Sequence, residues 1–342
     1  MVRPADPDFS VGINALEGNG HNDRFVEIAE FAQILKDRWH LESFGARTDE
    51  VLRNALYVLA ENDLTLVELA PLLANAEFRA RCVSRVANAE IREYFESRYD
   101  RASEAMQRVI AEPVLNKVSR FISDVKFRHL LGQQHSTVSL GAALDAKCWI
   151  ILDCDKGRLG DDALTFCSLF LAKAKHAFFS RRLRDLFSLY ADEVQNLVSY
   201  GAGLETLLAE VRKRAGAVVT ANQYLAQYPA DVQAAILSVG SFGFFQLSGP
   251  DAQQAATMLD GGKSLAERLK NLPRRHLVVK TVHEPWREAL VPFIEEPDID
   301  PNDLYRRARA RWARPRQEIE QEIRARRNVA RPNQPEALND WE

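Results

Sequence analysis

What this chain lacks narrows its chemistry first. Nowhere in its 342 residues does G-x-x-x-x-G-K-[ST] occur, the loop whose backbone N–H groups cradle nucleotide phosphates. Gly261-Gly262-Lys263-Ser264 ends like such a loop, but Thr257 stands where its first glycine belongs, and the stretch follows a predicted helix instead of a strand. H-E-x-x-H and G-x-S-x-G are missing too, and the seven histidines show no paired spacing. The four cysteines, Cys82, Cys148, Cys154 and Cys167, form no C-x-x-C pair and no Cys/His cluster, so the sequence predicts neither structural zinc nor a disulfide framework, and a reducing compartment. A net charge of −3 gives no global basic field, so any nucleic-acid contact must come from local patches. No apolar run approaches the ~20 residues that span a bilayer, and the first residues lack a signal-peptide core. The expectation is a soluble, cytoplasmic chain.

What is present is globular material. With 46% hydrophobic and 27% charged residues, the chain can bury a sizeable core as one large or two ordinary domains. A short strand is predicted at 10–13. Residues 21–135 read as helical almost throughout: Phe25, Ile28, Ala29, Phe31, Ala32 and Leu35 recur at helical spacing, as do Val51, Leu52, Ala55, Leu56 and Leu59. Thr65-Leu66-Val67-Glu68 fits a capping box. Shorter helices follow near 76–87, 88–98, 104–122 and 124–131.

From about 140 strands and helices alternate. Trp149-Ile150-Ile151-Leu152 reads as a buried strand, then a helix over 161–180, a strand at 186–191, a helix over 203–214, a strand at 217–221, a helix at 230–238, a strand at 240–247, a helix near 250–259 and a strand at 277–280. That alternation predicts a mostly parallel sheet with helices on both faces, whose chemistry sits at the strands' C-terminal ends. Pro285, Pro292, Pro297 and Pro301 mark 284–301 as a linker, and 302–328 reads as one highly charged, solvated helix.

The chemistry-bearing residues fall on that sheet edge. Leu186–Ala191 is a short apolar run that ends abruptly in Asp192-Glu193, the pattern of a Walker B strand delivering two carboxylates: one for a Mg²⁺ shell, one to polarise attacking water. Gln223 closes the next strand, where an amide can meet both γ-phosphate and lytic water. Arg212-Lys213 precedes that strand, and cations there can reach a neighbouring subunit's γ-phosphate. Plainer roles exist for each. Asp192 suits a helix N-cap, Gln223 a loop, and Arg212 and Lys213 a helix C-terminus.

In combined order these residues resemble one family: the coupling-protein ATPases of conjugation and type IV secretion, in the HerA/FtsK clan. Val11-Gly12-Ile13-Asn14-Ala15-Leu16 is similar to the segment after that family's P-loop strand, often Gly-Phe-Asn-Pro-Leu, with Ala15 where proline is usual. Leu130-Leu131-Gly132-Gln133 with Ser136-Thr137-Val138, the loop Asp155–Gly160, Asp192–Asn196, Arg212-Lys213 through Leu225, and Gly249–Ala252 also match in order. One departure is Gln246, which follows Phe245 where family members often carry arginine.

The resemblance implies an α/β fold: a RecA-like P-loop NTPase core with a mostly parallel sheet flanked by helices and an inserted all-α subdomain, the P-loop strand lying outside this chain. Residues 1–20 would begin the ATPase core, 21–135 form the all-α insertion, 136–283 continue the core with Walker B, and 284–342 be linker and charged helix. It implies Asp192 as the water-mediated Mg²⁺ ligand, Glu193 as activator of water, Gln223 as γ-phosphate sensor, Arg212 acting across a ring interface and Lys213 at the nucleotide. ATP and Mg²⁺ would bind only with a P-loop supplied from elsewhere. The implied partners are a DNA or nucleoprotein substrate, further copies in a homo-hexamer, and relaxosome or secretion-system proteins, at the inner face of the cell membrane through a segment or partner outside this chain. The expected function is the C-terminal portion of an ATP-driven DNA-translocating motor, inactive alone; the alternative is a degenerate, non-catalytic module that docks a partner protein.

Overall fold

A computed structural model describes residues 1–18, 24–41, 45–180, 185–193, 208, 210–224, 228 and 230–329. The described residues fall into two compact units, the first built from those up to 185 and those from 301 onward, the second from those between 186 and 300.

The first unit is mainly helical. Its helices are α1 (Arg24–Trp39), α2 (Ala46–Glu61), α3 (Leu69–Ala74), α4 (Ala76–Val83), α5 (Ala89–Glu93), α6 (Glu104–Ser123), α7 (Val125–Leu131), α8 (Leu140–Asp145), α9 (Lys156–Leu159) and α10 (Asp162–Ser180). Side chains set several of their starts. Asn75 accepts from the Phe78 N–H, Ser103 from Met106 and Asp124 from Lys126, each satisfying a donor that the first turn leaves without a helical partner. The capping box at Thr65 forms as expected: its N–H donates to Glu68 Oε2 at 2.9 Å, and its Oγ1 accepts from Val67. Leu35, Leu52, Leu56, Leu59, Phe95 and Phe127 lie fully buried in one continuous apolar core.

A short strand β1 (Phe9–Val11) crosses this unit and pairs antiparallel with β7 (Ala313–Pro315), in register Phe9↔Pro315. That pairing corrects the expectation of one helix over 302–328. The chain forms α14 (Pro301–Trp312), then β7, then α15 (Arg316–Val329). Pro315 explains the break, because it has no N–H to donate and pushes Arg314 out of the helical region. The expected buried strand at 149–152 is also corrected. Trp149 is 90% exposed, and only Leu152 forms a bridge, parallel to Val2.

The second unit holds β2 (Phe187–Ala191) and β3 (Gly216–Thr220), then α11 (Ala230–Leu237), β4 (Phe242–Phe244), α12 (Gly249–Met258), α13 (Gly262–Lys270), β5 (His276–Thr281) and β6 (Glu284–Leu290). β2 and β3 are parallel, but β4, β5 and β6 form an antiparallel sheet, so among the described residues the structure does not show the expected large, mostly parallel sheet. The connections explain this. Two successive helices between β4 and β5 return the chain to the end it left, and a tight turn makes β5 and β6 a hairpin. β6 replaces part of the predicted linker, with Pro285 on an exposed edge strand where its missing N–H costs nothing. Ala252, Ala255, Leu259, Leu265, Leu269 and Val278 form this unit's core. Half of the predicted helix over 203–214 lies outside the described residues, and its last four, Val211–Arg214, form a 3₁₀ turn.

Candidate functional site

The parallel pair sets the site's geometry. Its register runs Phe187↔Gly216 through Ala191↔Thr220, and the Ala221 N–H continues it by donating to the Ala191 carbonyl at 2.9 Å. Both strands therefore end at one level, and the residues just beyond them meet. Gln223 Nε2 donates to Glu193 Oε1 at 2.6 Å. Glu193 itself has φ 52°, the left-handed region that non-glycine residues seldom occupy. Its N–H is held by Asp192 Oδ1 at 2.9 Å. Asp192, Glu193 and Gln223 are all exposed, so two carboxylates and an amide sit together at a solvent-facing edge.

Arg212 and Lys213 lie elsewhere. They sit on a 3₁₀ turn, Val211–Arg214, that feeds β3 through a left-handed Ala215. Ala215 accepts from the Phe187 N–H at 3.1 Å, which fixes the turn beside the start of β2. A five-residue strand separates this end from Gln223, about 16 Å at ~3.3 Å per residue. Within one copy the five predicted residues thus form two groups at opposite ends of the strand pair: Asp192, Glu193 and Gln223 together, Arg212 and Lys213 apart.

The other motif residues hold structure. Gly12 donates to Thr137 Oγ1, Thr137 returns the bond to the Gly12 carbonyl, and Asn14 N–H donates to Ser136 Oγ, so the segment after β1 is laced to 133–137. Gly132 must be glycine, since a Cβ there would lie 2.4 Å from the Arg128 carbonyl oxygen. Gly261 caps α13, Gly262–Ser264 form its first turn, and the element before them is the helix α12 and not a strand. The Gln246 amide is engaged with the Lys270 carbonyl at 2.9 Å. A cavity of about 620 Å³ in the helical unit is lined by Glu17, Ser136, Ser139, Lys173 and Ser180 among others, and none of the five predicted site residues reaches it.

Sequence reasoning missed one polar cluster. Arg316, expected on a solvated helix, is buried and donates to the carbonyls of Pro4, Asp6 and Val125 and to His129 Nδ1 at 3.1 Å. A guanidinium only donates, so Nδ1 is the unprotonated ring nitrogen and Nε2–H points to Glu320 at 3.0 Å. Burial holds His129 below its ordinary pKa, with the Glu320 carboxylate opposing that shift. Pro315 was the available signal, since a helix broken there turns its next residue inward.

Among the described residues no group of three or more His, Cys, Asp or Glu could hold a metal, and no helix is long and apolar enough to cross a membrane. The two described units define an α/β protein. No family model matches the chain, and no curated protein matches it. Its fold is nevertheless that of known structures. It is similar to the unbound monoclinic form of the bacterial conjugative coupling protein TrwBdeltaN70, with a TM-score of 0.59 at 15% identity over 88% of this chain and 74% of that one. It is also similar to VirB4 of Thermoanaerobacter pseudethanolicus, with a TM-score of 0.53 at 13% identity over 84% and 74%. At these identities the likeness is one of fold.

Proposed function

We propose that this chain is the C-terminal portion of an ATP-driven DNA-translocating or coupling motor of conjugation or type IV secretion, working as a homo-hexamer with a DNA or nucleoprotein substrate and with relaxosome or secretion-system proteins. The observation that carries this reading is the Glu193–Gln223 contact, made across the ends of two parallel strands, in a chain that shares its fold with a conjugative coupling protein.

The donor set fits Mg²⁺ with a nucleotide. Mg²⁺ keeps most of its waters and takes the rest of its ligands from one or two carboxylates and phosphate oxygens, so an exposed Asp192 suffices without a protein cage. Bound there, Mg²⁺–ATP would supply charge neutralisation at the β- and γ-phosphates. Asp192 would orient the metal's water shell. Glu193 would take the proton of the attacking water, and Gln223, bonded to Glu193, would hold its amide beside that water. Arg212, exposed at the far end of β3, would act across a ring interface, and Lys213, exposed beside it, would serve the nucleotide. A P-loop strand supplied in cis or trans completes the site.

The chain alone is expected not to hydrolyse ATP. Joined to a P-loop-bearing segment it is expected to give Mg²⁺-dependent, DNA-stimulated turnover, and Glu193→Gln should lower that rate by about 10²–10⁴-fold. A rate unchanged by Glu193→Gln would refute the assignment. One observation favours a second reading, a non-catalytic module that docks a partner protein: Gln246, at the position where relatives often carry arginine, spends its amide on a backbone carbonyl. A completed protein that binds its partner but never turns over ATP would select it.

A further inference from the structure

Lys173, on α10, presents a cation without an ion-pair partner to the cavity of the helical unit. Its Nζ donates to the backbone carbonyls of Asn14, at 3.0 Å, and Glu17. An ammonium has three donors, and among the described residues the third meets no acceptor. No carboxylate among them comes within ion-pair distance either, and Glu27 and Glu17 act on the charge only from further away. Burial pushes the Lys173 pKa below its ordinary value, and Arg24 adds to that shift. A half-buried charge that is hydrogen-bonded but unpaired carries a desolvation penalty, which an anion placed beside it relieves.

The cavity has the size and lining of a small-molecule site. Its volume of about 620 Å³ falls inside the range of roughly 300–1,000 Å³ usual for such sites. Ile13, Val138, Leu140 and Ala177 give it an apolar wall. Ser136 and Ser139 line it as well. Ser136 Oγ accepts from the Asn14 N–H at 3.0 Å and Ser139 Oγ from the Ala142 N–H at 3.3 Å, so each hydroxyl keeps its own hydrogen to donate. The two carboxylates on the wall are engaged or solvated. Glu17 Oε2 accepts from the Ser136 N–H at 2.8 Å, and its Oε1 lies 3.5 Å from His135 Nδ1. Asp145 is exposed, where water weakens its field.

We infer that this cavity binds a small organic carboxylate, whose charge meets the Lys173 ammonium and the serine hydroxyls and whose apolar body covers Ile13, Val138, Leu140 and Ala177. One cation matches one negative charge. A phosphate monoester brings nearly two, and among the described residues no second cation lines the cavity. A bare inorganic anion would leave the apolar wall in contact with water. The site stands apart from the ATPase reading: Asp192, Glu193, Gln223, Arg212 and Lys213 are all absent from its lining, and a chain that never meets ATP binds the carboxylate in the same way.

NMR titration of the full chain with phenylbutyrate tests this, beside phenylbutanol and phenylbutylamine, which keep the apolar body and change the charge. The acid should bind with a dissociation constant of about 1 mM or tighter, and the alcohol and the amine about tenfold more weakly or worse. Lys173→Met should bring the acid to the level of the alcohol and leave the alcohol where it was. Lys173 also ties two backbone carbonyls, so far-UV circular dichroism checks that this variant folds, and Gly141→Leu gives a second reading. Gly141 lies on the wall, and a Cβ there meets nothing within 4 Å. The added side chain should weaken acid and alcohol alike by about tenfold or more. An acid that fails to bind, or an alcohol or amine that binds as tightly, overturns the inference. So does a folded Lys173→Met chain, or a Gly141→Leu chain, that keeps the acid's affinity.

Discussion

The core of the helical unit and the β2–β3 pair treat their apolar residues in opposite ways. In the helical unit Leu35, Leu52, Leu56 and Phe95 are sealed inside one core. In the β2–β3 pair Leu186 and Tyr190 are both 76% exposed, and among the described residues each strand pairs only with the other. The first arrangement stores stability. The second holds three polar side chains just beyond the ends of two half-buried strands. The residues proposed to bear the chemistry and the residues that bear the fold are nearly separate sets.

Substitutions can break that contrast. The largest effect is expected for Phe95→Ala, which empties a buried site packed against the rings of Tyr94 and Tyr99. It should cost about 3–5 kcal/mol in urea unfolding, whereas Tyr190→Ser on β2 should stay within about 0.5 kcal/mol. Equal costs would show that the strand pair is as tightly built as the helices. Gly132→Ala comes next. Its new methyl meets the Arg128 carbonyl and Ile323, and a loss of about 1–3 kcal/mol is expected from overpacking.

The smallest effect is a pH dependence confined to the helical unit. His129 is held below its ordinary value of 6.5 in the folded chain, chiefly by burial. The unfolded chain therefore binds the proton more readily, and folding stability is present in full above about pH 6.5 and is lost as pH falls through the depressed folded value. Protonation also costs Nδ1 its bond from Arg316. Unfolding midpoints measured between pH 7.5 and 5 should slope downward for the wild-type chain and flatten in His129→Gln. The depressed carboxylates Glu30 and Glu320 titrate below this window and leave the comparison clean.

Much of the fold was legible because its signals are local. The helix expected near 104–122 is α6 almost to the residue, and the runs before Asp192 and Asn222 gave β2 and β3. The Walker B pattern put Asp192 and Glu193 at the same sheet edge as Gln223, but the hydrogen bond between Glu193 and Gln223 was not legible in the sequence. What could not be read depends on distant partners. β6 is exposed over nearly all its length, so it has no alternation to betray it, and its prolines argue for a loop. Trp149 looked like core by composition, yet only Leu152 in its run finds a strand neighbour. The clustering of Arg316, His129 and Glu320 joins residues nearly two hundred positions apart, and no periodicity encodes that.

The pairing of β1 with β7 also sets a schedule for synthesis. Ala313–Pro315, which completes the ladder of Phe9–Val11, is made some 300 residues after it, about 15–60 s at ordinary elongation rates. Throughout that interval β1 is an open β-edge, and the strand that closes it lies immediately before α15.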